Sequence, residues 1–93
     1  MGAPKLMVRM LSSPDEACRD FAGSSARIKV CRLEDDYVLV EGTPDALVRF
    51  AEIIAAQAAF LEDDGFEVSP DGPGQAIFAE GSNLGVYIRR TGQ

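Results

Sequence analysis

Ninety-three residues, 46% hydrophobic and 26% charged, suffice for one compact domain and are too few for two. The chain contains no histidine, which removes the usual neutral-pH general base, the Ser-His and Cys-His pairs and nearly every zinc site with a nitrogen ligand. Residues 1–33 carry six cations against three carboxylates and residues 34–93 carry three against twelve, for a net charge of −6, an imbalance that speaks against nucleic-acid binding and suits a basic partner.

Lys5 to Leu11 is a short apolar run and reads as a first strand. Ser13-Pro14-Asp15-Glu16 has the layout of a capping box with proline at the first helical position, which predicts a short helix over Pro14 to Phe21. From Ala26 to Leu33 apolar and charged residues alternate until Cys31, as in a half-buried strand with a bulge near Arg32. Glu34-Asp35-Asp36 then reads as a hairpin connection into a strand over Tyr37 to Glu41. Thr43-Pro44-Asp45 opens a helix predicted from Pro44 to about Glu62, where Gly65 is suited to a left-handed cap. Phe66 to Ser69, Gln75 to Glu80 and Leu84 to Arg90 follow as three short strands. The predicted fold is α+β, a two-layer sandwich with a mostly antiparallel sheet of about six strands and one long helix, in the order β-(short α)-β-β-α-β-β-β.

The long helix is the informative element. At 100° per residue, Leu47, Phe50, Ala51, Ile54, Ala58 and Leu61 form a stripe that predicts the core face. Ile53 and Phe60 lie to one side of it, and Ala56 and Ala59 lie nearly opposite, where a solvated helix usually carries Lys or Glu. Two readings stand: the early chain folds over Ile53 and Phe60, or Ile53, Ala56, Ala59 and Phe60 form a face for a second copy or another protein.

No stretch approaches the ~20 apolar residues of a membrane span, and the first residues lack the pattern of a secretory signal. The expectation is therefore a cytoplasmic protein with no membrane partner, in which Cys18 and Cys31 stay reduced. Glu34, Asp35 and Asp36, and again Glu62, Asp63 and Asp64, place three carboxylates before an aromatic residue. They lack the spacing of a calcium loop, so the expectation is no metal and no cofactor. Solvated turns are one reading of the triplets, and an acidic patch for a basic protein is another. Gly81-Ser82-Asn83-Leu84-Gly85 is too short for a phosphate loop and reads as a hairpin turn.

The run Val38-Leu39-Val40-Glu41-Gly42-Thr43-Pro44-Asp45-Ala46-Leu47, the Ala/Leu-rich helix behind it, and Gly81-Ser82-Asn83-Leu84-Gly85-Val86-Tyr87-Ile88 resemble a group of small bacterial immunity proteins that accompany polymorphic toxins. The resemblance covers residues 37–90 and implies a cytoplasmic protein that neutralises a cognate toxin. The sequence is accordingly read as a non-enzymatic protein-protein interaction domain, a homodimer that binds a basic toxin and no nucleic acid. Alternatives are an acidic inhibitor that mimics nucleic acid and a small ligand-binding module.

Overall fold

The computed structural model describes residues 13–62 and 64–92; the strand expected over Lys5 to Leu11 lies outside them. In chain order the elements are α1 (Pro14–Gly23), β1 (Lys29–Glu34), β2 (Tyr37–Glu41), α2 (Pro44–Ala59), β3 (Gly65–Val68), a 3-10 turn (Gln75–Ile77) and β4 (Val86–Arg89). No helix among the described residues is long and apolar enough to cross a membrane.

Both helices begin where their capping residues dictate. At α1 the Glu16 N–H donates to Ser13 Oγ (3.1 Å) and the Ser13 N–H donates back to Glu16 Oε1 (3.4 Å), which closes the capping box. At α2 the Ala46 N–H donates to Thr43 Oγ1 (3.1 Å), with Pro44 at the first helical position and Asp45 bridged to Arg49 at 3.1 Å. The first residues of α1 share a cleft with Gln57 and Phe60, and its last share one with Arg49, so the two helices run in opposite senses.

The helix ends where its carbonyls find a cation. Arg90 Nη1 donates to the carbonyls of Phe60 (2.6 Å) and Gln57 (3.2 Å), so α2 stops at Ala59, short of the expected Glu62. A guanidinium over the last carbonyls satisfies acceptors that the helix leaves open and opposes the negative end of its dipole. Gly65 is therefore not the left-handed cap. It opens β3, where an added Cβ would stand 2.6 Å from Tyr87 Oη.

The described strands form two antiparallel pairs, β1 with β2 and β3 with β4, in place of one sheet of about six strands beside one long helix, while α1 stands where the short helix is expected. The bulge expected near Arg32 is present as a register shift between Arg32 and Glu34. The segment predicted as a strand over Gln75 to Glu80 departs most from expectation. Gly74 turns the chain left-handed (φ 74°), a 3-10 turn follows, and only Phe78 bridges to Ile28. This segment still lines the second edge of β1, largely through irregular bonds. The Ile28 N–H donates to the Ile77 carbonyl (2.9 Å) and the Ala79 N–H to the Ile28 carbonyl (2.7 Å). Further on, Val30 N–H donates to Ser82 Oγ (3.1 Å) and Arg32 N–H to Asn83 Oδ1 (3.3 Å). The Asn83 and Leu84 N–H groups also donate to the Val30 carbonyl (3.0 and 3.3 Å), so backbone and polar side chains share this irregular seam.

One hydrophobic cluster joins these parts. From α1 come Ala17, Cys18 and Phe21, from the β1 side Ile28 and Val30, from α2 Ala46, Phe50, Ile53 and Ala56, with Val68 and Ile77 completing it. Phe21, Ile28, Ile53, Ile77, Val30 and Val68 are fully buried, and each such side chain contributes roughly 1.5–3 kcal/mol relative to exposure.

Candidate functional site

The core face of α2 is rotated by about 100° from the stripe expected from hydrophobicity, as judged at 100° per residue. Ala46, Phe50, Ile53, Ala56 and Gln57 face inward, against α1, while Leu47 (42% exposed), Ile54 (44%) and Ala58 face outward, and Leu61 (78%) is exposed in the turn after the helix. The physical reason is size. Two helices approach closely where small side chains meet, and α1 offers Ala17 and Cys18 toward an α2 face that carries Ala46 and Ala56. Ile53 and Phe60 are accordingly attended by the early chain, the first of the two readings left open by the sequence.

A partner face built on Ile53 and Ala56 is thereby corrected: both lie inside the domain, with Phe60 half-buried beside α1 and Ala59 exposed. The outward row Leu47, Ile54 and Ala58 takes its place as the apolar surface of the helix, with exposed Leu61 in the turn beyond it. Spacings of seven and four residues keep these three helical side chains within one narrow strip. Only the packing of α1 distinguishes this row from a core stripe, so no signal local to α2 could have found it.

The acidic residues stand on two separate supports. Asp35 and Asp36 form the turn between β1 and β2, with Glu34 at the end of β1, and all three are exposed. Glu62 and Asp64 are exposed beyond α2, and Asp63 lies outside the described residues. Asp64 Oδ1 is 3.4 Å from Arg90 Nη2, an exposed contact of the kind that contributes little to stability. No group of three acidic or thiol side chains able to hold a metal ion occurs among the described residues.

Other chemistry-bearing groups serve the fold. Ser82 and Asn83 are occupied with the β1 backbone. Both thiols are free: Cys18 is buried and Cys31 half-buried. Burial, and then the neighbouring Asp15 carboxylate, push the Cys18 thiol above its ordinary pKa of 9.0, against a smaller opposing effect of Arg19. A thiol held protonated in this way is a poor nucleophile. A cleft of about 200 Å³ lies between the start of α1 (Ser13, Pro14, Asp15), the end of α2 (Gln57, Phe60) and β3 (Gly65, Phe66). It is smaller than the ~300–1,000 Å³ of ordinary small-molecule sites.

Fold and surface together define a small α+β domain whose most distinctive exposed features are apolar and acidic. Comparison with protein-family models, with curated proteins and with solved structures finds no match.

Proposed function

We propose that this chain is a non-enzymatic protein-binding domain that presents the outer face of α2 to a basic protein. The observation that carries the reading is the outward row Leu47, Ile54 and Ala58, followed by exposed Leu61 just past the helix end. Anchors repeating at about one side of a helix are what an apolar groove on a partner accepts. Glu62, exposed just beyond α2, adds negative charge beside the row, while Asp64 is shared with Arg90. A partner with cations beside its groove would be steered to that end of the helix and held by the apolar contacts.

The resemblance of residues 37–90 to bacterial immunity proteins supplies the class of partner, a toxin neutralised by occlusion. The reading is tested by co-expressing this chain with each reading frame adjacent to it in its native genome. The expected result is one neighbour that arrests growth alone, rescue by the wild-type chain, and loss of rescue with Leu47→Lys plus Ile54→Lys at an unchanged unfolding midpoint. A toxic neighbour rescued equally by that double variant would remove α2 from the interface. Absence of any toxic neighbour would remove the immunity reading.

A further inference from the structure

We infer that two copies of this chain associate through the outer edge of β2, antiparallel and centred on Leu39, so that the hairpins join into one four-stranded sheet. The surface is separate from the outer row of α2. The strand Tyr37-Val38-Leu39-Val40-Glu41 pairs on one side with β1, and on the other side it has no strand among the described residues. Natural edges are usually blunted by lysine, proline or a bulge, or covered by another element. β2 contains neither lysine nor proline, and it exposes Val38 (60%) and Val40 (41%).

The occupant follows from self-complementarity. A two-fold axis through Leu39 sets Val38 of each copy opposite Val40 of the other, and Tyr37 opposite Glu41. In the β1–β2 register Val30 faces Val40 and Arg32 faces Val38. Each row across the joined sheet would then read Val30, Val40, Val38 and Arg32, three β-branched side chains in succession on one face, the arrangement that stabilises cross-strand pairs.

Charge selects the direction. The tip of the hairpin carries Glu34, Asp35 and Asp36, whereas its base leads through Gly42 into the start of α2. Gly42 marks that base, since a Cβ built on it would lie 3.3 Å from the Arg27 carbonyl. In the antiparallel arrangement Asp36 falls opposite Gly42 of the second copy and Asp35 opposite Thr43. The acidic tip thus comes to the positive end of α2, where Asp45 is already engaged by Arg49. A parallel arrangement would set the two acidic tips side by side. Glu41 lies opposite Tyr37 rather than opposite its own copy, so no like charges face each other within β2.

The full chain is examined by sedimentation from about 1 μM to about 1 mM, a range that spans weak to moderate self-association. A particle of twice the 10.0 kDa chain is expected at the upper end. Val38→Lys, at an exposed position, is expected to leave the unfolding midpoint unchanged and to give the single chain throughout. Asp35→Lys with Asp36→Lys is expected to raise the dimer dissociation constant by about tenfold or more. In a Cys31→Ser background, Leu39→Cys is expected to form a disulfide-linked dimer on mild oxidation, because the axis brings the two copies of this position together, whereas Ile54→Cys is not. A single chain at every concentration, a dimer that survives Val38→Lys, or cross-linking through Ile54→Cys in preference to Leu39→Cys would overturn the proposal.

Discussion

Adjacent isoleucines offer the sharpest test of how α2 sits in the domain. Ile53 is fully buried and Ile54 is 44% exposed, although their side chains are identical and alanine improves helix propensity equally at either position. Truncating a buried isoleucine to alanine removes transfer free energy and leaves a cavity, costing about 2–5 kcal/mol. Ile53 touches the fully packed centre of the cluster, so the upper part of that range applies to Ile53→Ala. For Ile54→Ala only part of the side chain is withdrawn from water, and the expected loss is below about 1 kcal/mol. A domain of this size shifts its midpoint by roughly 4–8 °C per kcal/mol, so the two variants should melt more than about 10 °C apart. Urea titration followed by circular dichroism measures both, with an unchanged slope confirming that the unfolded states are comparable. Equal losses, or a larger loss for Ile54→Ala, would return the core face to the stripe that hydrophobicity alone suggests and would refute the inward orientation of Ile53.

Three further outcomes are expected. Arg90→Ala removes a charged donor from the carbonyls of Gln57 and Phe60 and should cost about 1.5–3 kcal/mol; Asp64→Ala should cost under about 1 kcal/mol, and chemical denaturation of both variants separates the helix clamp from the surface pair. Because the Cys18 thiol is held above its ordinary value of 9.0, the folded state binds the proton longer than the unfolded state. Its contribution is complete below that value and falls as pH climbs from there toward the folded value. Urea midpoints from about pH 8 to about pH 10.5 should therefore decline more steeply for the wild type than for Cys18→Ala. Ser82→Ala leaves the Val30 N–H without its acceptor and should cost about 1–3 kcal/mol, with faster amide exchange at Val30 as the local readout.

What was legible in the sequence was local. Ser13 with Glu16, and Thr43 with Pro44, placed both helix starts because a cap acts on its own first turn. The turn at Asp35 and Asp36 and the bulge after Arg32 were likewise written into a few consecutive residues. What depended on distant partners was not readable. The end of α2 is set by Arg90, some thirty positions away, and the left-handed turn at Gly74 leads into a 3-10 turn where a short strand is expected from Gln75 to Glu80. The face of α2 turned inward depends on α1, where the ability of Ala46 and Ala56 to admit a neighbouring helix outweighs the greater hydrophobicity of Leu47 and Ile54. The acidic triplets were visible as charge, but their distinct supports at a hairpin tip and a helix exit emerge only from the fold.

The seam along β1 has a consequence for how this chain can drift. A ladder of peptide groups tolerates nearly any replacement of side chains, because the backbone supplies both donor and acceptor at every position. Here two of the fastenings are a hydroxyl and a carboxamide, at Ser82 and Asn83. The joint between the early and late parts of the molecule is therefore spelled partly in residue identity, and descendants that lose those two letters keep only the backbone hydrogen bonds at Ile28 and Val30 to hold that margin.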